Sequence, residues 1–199
     1  MGRHHWSPAL AALNFPPELL VRAQGTGLGV KLAIFDVDGV LTDGRIYIGG
    51  QGEDVKAFST LDGHGLKLLQ AAGIAPVIIT GRDSPGVRRR VADLGLAHAV
   101  YGAKDKLAAA LPLLAQFGAS WGEVAAMGDD WPDLPLLQRA GFACVPPGAH
   151  AEVKAVAHHI TAAPAGYGAA RECCDLLLMA AGRYEALLAQ HQGTLDGTP

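Results

Sequence analysis

Two aspartates, Asp36 and Asp38, directly follow the apolar run at 31–35. Residues two apart on an extended segment point to the same side, so the two carboxylates face one side together. Two such charges are costly to hold close together unless a cation lies between them. Mg²⁺ favours carboxylates plus substrate phosphate as ligands, and it lets an anionic nucleophile approach that phosphate. The pair therefore predicts a magnesium-assisted site for a phosphate group.

The two carboxylates are predicted to have separate tasks. Asp36 would attack phosphorus and form an aspartyl-phosphate. Asp38 would protonate the leaving alkoxide and later activate water. Further aspartates follow another apolar run, at 124–127. The predicted metal ligands are Asp36, Asp38 and Asp129, with Asp130 and Asp133 behind them to orient a lysine or a metal-bound water.

Two further stretches carry groups that can hold a phosphate. Thr80 ends an apolar run, and its hydroxyl can hydrogen-bond a phosphoryl oxygen. Gly81 lets backbone N–H groups approach the phosphate, and Arg82 can reach an anionic part of the substrate. Lys106 supplies positive charge as negative charge builds on the transferring group, with Lys104 as the rival for that task.

These residues need a scaffold that brings distant segments together. From Lys31 onward, short apolar runs alternate with helical patterns, which predicts an α/β, Rossmann-like parallel sheet with helices on both faces. Ligands of such sheets lie beyond the carboxyl ends of the strands, so the polar strand ends should converge. The predicted strands are 31–35, 76–80, 98–101, 124–127, 142–145 and an edge strand at Ile160. The predicted helices are 66–72, 87–94, 106–117, 134–140, 149–157 and 171–188, the last with a break near Gly182.

The segment after Asp38 predicts a β-hairpin flap. Strands at 46–48 and 55–58 flank the turn Gly49-Gly50-Gln51-Gly52. The intervals 37–79 and 81–105 are occupied by this hairpin and by core elements, so neither holds a large cap domain. A neighbouring subunit is then the expected cover for the site.

Bulk composition narrows the class of protein. The chain has 199 residues and a formal net charge of −3, which argues against nucleic-acid binding and for a small-molecule ligand. Neither a secretory signal nor a membrane-spanning run is expected from the sequence, and the three cysteines are expected to be buried and reduced, as in a cytoplasmic protein. The predicted organisation is an arm at 1–30 with a short helix around 17–23, a phosphatase domain at 31–190 and a flexible tail at 191–199.

Four motifs in this order resemble the haloacid dehalogenase superfamily of phosphohydrolases. They are the stretch 36–44, the run Ile79-Thr80-Gly81-Arg82, Lys106, and Gly128-Asp129-Asp130 with Asp133. The stretches 58–65 and 168–172 narrow the resemblance to 3-deoxy-D-manno-octulosonate 8-phosphate phosphatases, over about residues 30 to 188.

That resemblance implies a cytoplasmic, Mg²⁺-dependent enzyme of lipopolysaccharide inner-core sugar synthesis, acting on a sugar-acid phosphate as a homotetramer. It also implies substrate-binding roles for Asp62, His64 and Arg171, although Asp62 also suits the N-cap of the following helix and His64 an exposed loop. Tyr167 stands where the family usually has arginine. A phosphatase for a nine-carbon sugar-acid phosphate, a broad sugar phosphatase and a non-catalytic binding subunit remain the alternatives.

Overall fold

The structure, a computed structural model, describes residues 15–26, 29–50 and 52–192. The predicted tail beyond 192 and most of the predicted arm lie outside these residues. The strands are β1 (Leu32–Phe35), β2 (Tyr47–Gly49), β3 (Gly52–Val55), β4 (Ala75–Ile79), β5 (His98–Val100), β6 (Val124–Met127), β7 (Phe142–Val145) and β8 (His159–Ile160). The helices are α1 (Pro17–Ala23), α2 (Thr60–Ala71), α3 (Pro85–Asp93), α4 (Lys106–Phe117), α5 (Leu134–Leu137), α6 (Ala151–Ala155), α7 (Ala169–Ala180) and α8 (Tyr184–Gln192).

Six strands form one parallel sheet in the order β5-β4-β1-β6-β7-β8. β1 lies in the middle, and the chain crosses to β4 on one side and to β6 on the other. The sheet therefore has its topological switch point at the carboxyl end of β1, where ligands of such folds bind. The predicted fold class is confirmed, and no large cap domain occurs in the part of the chain that the structure describes.

Alternate residues of the central strand face two separate cores. Ala33 and Phe35 of β1 pack in the core formed with α2, α3 and α7. Leu32 and Ile34 pack in the core formed with α4, α5 and α6. Both faces of the sheet are therefore covered, which explains why this strand is a continuous apolar run. None of the helices described is long and apolar enough to cross a membrane.

Several element bounds differ from the sequence prediction. The second hairpin strand ends at Val55 rather than at residue 58, and α2 begins at Thr60 because Ser59 accepts a hydrogen bond from the Asp62 N–H at 3.5 Å. The predicted helices at 134–140 and 149–157 are shorter. The terminal helical region begins at Ala169 rather than at residue 171. Its break near Gly182 is as predicted, and Gly182 has a φ of 64°, in the left-handed region.

Asp62 caps a helix that it does not belong to. It is a buried residue inside α2, and its carboxylate accepts the N–H groups of Gly168 at 3.3 Å and Arg171 at 2.8 Å. These are first-turn donors of α7, which have no partner inside their own helix. Ser59, not Asp62, is the N-cap of α2, so that interpretation of Asp62 is corrected. The substrate-binding role of Asp62 stays a prediction, although both of its oxygens face α7.

We expect Asp62→Ala to lower the free energy of unfolding by about 2 kcal/mol, because it leaves buried N–H donors without an acceptor. Chemical denaturation measures this change. Asp93→Ala, at an exposed residue of α3, is the matched control and should cost less than about 0.5 kcal/mol. Equal stability of Asp62→Ala and the wild type would contradict the capping role.

Candidate active site

The central strands bring the predicted catalytic segments to one edge of the sheet. Phe35, at the end of β1, lies beside Ile78 of β4 and Met127 of β6. Asp36 follows β1 directly, and its N–H donates to the Met127 carbonyl at 3.0 Å. Thr80 and the 128–130 turn follow the two neighbouring strands. Segments far apart in sequence therefore meet at the switch point.

Lys106 joins two of the aspartates. Its Nζ lies 2.8 Å from Asp36 Oδ1 and 2.6 Å from Asp133 Oδ1, and its side chain is 4% exposed. It is the first residue of α4, whose N-cap, Asp105, accepts the Ala108 N–H at 3.0 Å. Burial alone would lower the Lys106 pKa, but the two carboxylates outweigh burial and raise it. The lysine is therefore held charged beside Asp36.

Asp133 organises the loop after β6. Its Oδ1 accepts from Lys106, and its Oδ2 accepts the N–H groups of Asp129 at 3.0 Å and Asp130 at 3.3 Å. The Asp130 side chain instead accepts the Trp131 N–H at 2.9 Å and is exposed. Of the two aspartates predicted to support the site, Asp133 thus contacts Lys106 and Asp130 caps a turn.

Three carboxylates form a group that fits a metal ion. Ligand atoms of Asp36, Asp129 and Asp133 lie within 4.8 Å of one another. Burial, with Asp36 and Asp133 nearby, raises the pKa of Asp129 to about 7. Burial and Asp133 likewise raise the pKa of Asp36 to about 6, against the lowering effect of Lys106. One lysine does not balance this charge, so a divalent cation suits the site.

Gly39 makes room for this group. A Cβ at this position would lie 2.0 Å from Asp129 Oδ2, and the residue has a φ of 84°. Both the close approach and the left-handed backbone favour glycine. The glycine after Asp38 thus lets the β1 loop and the β6 loop come together around the carboxylates.

The Asp38 carboxylate lies outside the three-carboxylate group. It accepts a hydrogen bond from Lys56, and its Oδ2 lies 3.9 Å from Arg82 Nε. Asp38 is half-buried, with a side-chain exposure of 23%. The prediction that Asp38 ligates the metal stays a prediction, and the side-chain geometry favours its acid–base role.

Thr80 and its loop line the same edge. Thr80 is buried, and its Oγ1 accepts the Arg82 N–H at 3.4 Å. The Ala103 N–H donates to the Thr80 carbonyl at 2.9 Å, which ties this loop to the segment before Lys106. Gly81 and Arg82 are exposed at the mouth of the site.

His64 and Arg171 lie around a different cavity. They line a space of about 130 Å³ with residues of α7 and α8, and none of Asp36, Asp38, Thr80, Lys106 or Asp129 borders it. Arg171 Nε donates to both oxygens of Asp175, at 2.8 and 2.9 Å. Their predicted substrate contacts are therefore not supported by this arrangement within one chain.

Lys56 is the functional candidate that the sequence analysis missed. Its side chain is 1% exposed and contacts Asp38 across the hairpin. No motif or spacing marks it, since it is one lysine after a short strand. Only its pairing with Asp38 in space identifies it.

The sheet and the aspartates at its carboxyl edge define the class of haloacid dehalogenase-like hydrolases, and the model of that class matches residues 100–171. A 3-deoxy-D-manno-octulosonate 8-phosphate phosphatase of Yersinia pestis is 41% identical over 78% of this chain and 83% of its own. The chain therefore belongs to the family of 3-deoxy-D-manno-octulosonate 8-phosphate phosphatases.

Solved structures agree with this assignment. A probable yrbi family phosphatase of Pseudomonas syringae has a TM-score of 0.84 and 44% identity, over 89% of this chain and 98% of that chain. The Moraxella catarrhalis phosphatase, solved with magnesium, phosphate and KDO, has a TM-score of 0.83 and 39% identity, over 89% of this chain and 100% of that chain. The resemblance stated from the motifs is thus confirmed.

We expect Asp129→Asn to weaken Mg²⁺ binding without weakening the fold of the metal-free protein. The Asp129 pKa of about 7 lies above the ordinary value of 3.8, so the metal-free protein loses stability as pH rises through about 7. The metal-free variant should therefore melt higher than the wild type at pH 8. Mg²⁺ at 100 times its Kd should stabilise the wild type by about 2.7 kcal/mol and the variant by far less.

Thermal melts with and without Mg²⁺ measure both effects. Asp130→Asn is the matched control, because its exposed carboxylate caps a turn instead of joining the three-carboxylate group. It should keep the Mg²⁺ response of the wild type. If Asp130→Asn lost the Mg²⁺ response and Asp129→Asn kept it, the assignment of the three-carboxylate group as the metal site would be contradicted.

Proposed function

We propose that this protein hydrolyses 3-deoxy-D-manno-octulosonate 8-phosphate to the free eight-carbon sugar acid and phosphate. The observation that carries the proposal is that Asp36 belongs to the three-carboxylate group and lies 2.8 Å from Lys106 Nζ. The family relatives named as phosphatases of this compound supply the substrate. In that role the enzyme acts in lipopolysaccharide inner-core sugar synthesis.

In the first step, an Asp36 oxygen forms a bond to phosphorus while the bond from phosphorus to the sugar oxygen breaks. The sugar oxygen takes the proton of the Asp38 carboxyl group and leaves as an alcohol. Lys106 faces the negative charge that develops on the phosphoryl group, and Thr80 donates a hydrogen bond to one of its oxygens. The products of this step are the free sugar acid and an aspartyl-phosphate at Asp36.

In the second step, water attacks phosphorus and gives a proton to the Asp38 carboxylate. The bond between phosphorus and the Asp36 oxygen breaks, so phosphate leaves and the Asp36 carboxylate is restored. Asp38 is protonated again and ready for the next substrate. The same carboxyl group thus acts as acid and then as base, as microscopic reversibility requires of such a pair.

Asp36 and Asp129 would hold Mg²⁺, with Asp133 beside them. The ion would neutralise phosphate charge so that an anionic carboxylate can attack. The relative from Moraxella catarrhalis was solved with magnesium and phosphate, which supports the choice of metal. The raised pKa values of Asp36 and Asp129 support the need for a cation.

A homotetramer is the assembly that we propose. The hairpin of β2 and β3 exposes the large apolar side chains of Tyr47, Ile48 and Val55, with Ile48 75% exposed. Apolar side chains grouped in this way are typical of a protein contact. A neighbouring hairpin or tail would then cover the site in place of a cap domain. Light scattering tests this: a tetramer is expected, and a fully active monomer would contradict it.

The cytoplasm is the compartment that we propose. Cys144, Cys173 and Cys174 are all free and buried, which suits a reducing environment.

A nine-carbon sugar-acid phosphate is the second candidate substrate. Tyr167, where the family usually has arginine, is 66% exposed and lines a cavity of about 440 Å³ with Asp43 and Phe58. A changed side chain near the hairpin can change which sugar acid fits, while the catalytic residues stay the same.

Product analysis tests the reaction. Purified protein with Mg²⁺ and the eight-carbon substrate should yield free sugar acid and phosphate in equal amounts. Phosphate release no faster than in a blank with Mg²⁺ alone would defeat the proposal. That result would favour the non-catalytic alternative.

A further inference from the structure

Lys56 is a cation with a buried side chain at the end of the hairpin. It follows β3 directly, and its side chain is 1% exposed. Its Nζ donates to Asp38 Oδ1. A buried ammonium is costly unless it is paired with a negative group, so this contact fixes both partners.

The contact leaves the two Asp38 oxygens unequal. Oδ1 is engaged by Lys56, while Oδ2 lies 3.9 Å from Arg82 Nε, on a side chain that is 53% exposed. Arg82 is therefore a looser partner than Lys56. With Oδ1 fixed, the rotation of the carboxylate is fixed as well, and Oδ2 is the oxygen left to exchange a proton with the substrate.

We infer that Lys56 is a positioning residue for the acid–base step: it orients Asp38 so that Oδ2 delivers the proton to the leaving oxygen. The inference rests on the proposed function for the role of Asp38. It also means that the position of the hairpin affects the acid–base step, because Lys56, which holds Asp38, is the first residue after β3. Misplacement of a catalytic group by about 1 Å can cost about 100-fold in rate.

Leaving-group dependence tests this role. An alkoxide needs a proton to leave and nitrophenolate does not, so loss of a positioned acid affects only the first. In Lys56→Met we expect kcat/KM, which reports the steps up to departure of the leaving group, to fall about 10- to 100-fold for sugar and glycerol phosphates. For p-nitrophenyl phosphate it should change less than about threefold.

Three variants complete the experiment. Lys56→Arg keeps the charge and should recover most of the lost rate. Lys67→Met, at an exposed lysine of α2, is the matched control and should behave as the wild type. If Lys56→Met does not fold in a thermal melt, Lys56→Gln replaces it, with the same selective loss expected.

Equal losses on both kinds of phosphate ester, or no loss on either, would overturn the inference. A wild type that hydrolyses other alkyl phosphates but not the eight-carbon substrate would defeat the proposed substrate alone, and the comparison would still decide the role of Lys56. If the wild type cleaves only aryl esters, phenyl and p-nitrophenyl phosphates provide the poor and the good leaving group. A wild type that cleaves no phosphate ester would overturn both proposals.

Discussion

Asp36→Asn is expected to lower kcat by about 10⁴-fold or more, because the amide cannot form the bond to phosphorus that the carboxylate forms. The change is nearly isosteric, so the substrate site keeps its shape. Lys106 keeps its contact with Asp133 at 2.6 Å. Phosphate release under saturating substrate and Mg²⁺ measures the loss.

The folded state should tolerate this change. The Asp36 pKa is raised to about 6 by burial and by Asp133, so its charge is unfavourable at neutral pH without a metal. The metal-free variant should therefore melt no lower than the wild type. Asp93→Asn, at an exposed aspartate of α3 outside the three-carboxylate group, is the control and should keep its rate within about threefold. Turnover retained by Asp36→Asn would overturn the assignment of the nucleophile.

Lys106→Met should affect both rate and stability. It removes the cation between Asp36 and Asp133, where the lysine side chain is 4% exposed. Loss of one partner from a buried charged group costs about 3 kcal/mol or more, and loss of a donor to a transition-state charge costs about 10²- to 10³-fold in kcat. Denaturation and steady-state kinetics measure the two effects.

Lys104→Met is the control for this variant. Lys104 is exposed and only two residues away, so its substitution should cost less than about 0.5 kcal/mol. This pair also decides between the two lysines considered from the sequence. A large loss of activity in Lys104→Met with a small one in Lys106→Met would reverse the assignment.

Strand bounds and the location of the site are predicted best where the local sequence pattern and the order of the strands both determine them. β6 and β7 are continuous apolar runs because both of their faces are covered, and their bounds are as predicted. Asp36, Thr80 and Asp129 lie at the same edge of the sheet because each follows a strand, and neighbouring parallel strands end at one edge. Their shared location therefore follows from topology alone.

Other contacts depend on side chains that meet across long stretches of chain. Asp62 caps α7 through Gly168 and Arg171, which are 106 and 109 residues away. Lys56 contacts Asp38, which is 18 residues earlier in the chain, on the other side of the hairpin in sequence. A single sequence carries no signal for such pairs, since an aspartate or a lysine has the same local pattern in many roles.

The most direct test of the central claim is a comparison of kcat/KM for the eight-carbon and nine-carbon sugar-acid phosphates, with Mg²⁺ and with a chelator. We expect rapid hydrolysis of the eight-carbon substrate, at least about tenfold above the nine-carbon analogue, and almost none with the chelator. Equal rates on both substrates and on small unrelated esters, or full activity in the chelator, would contradict the account.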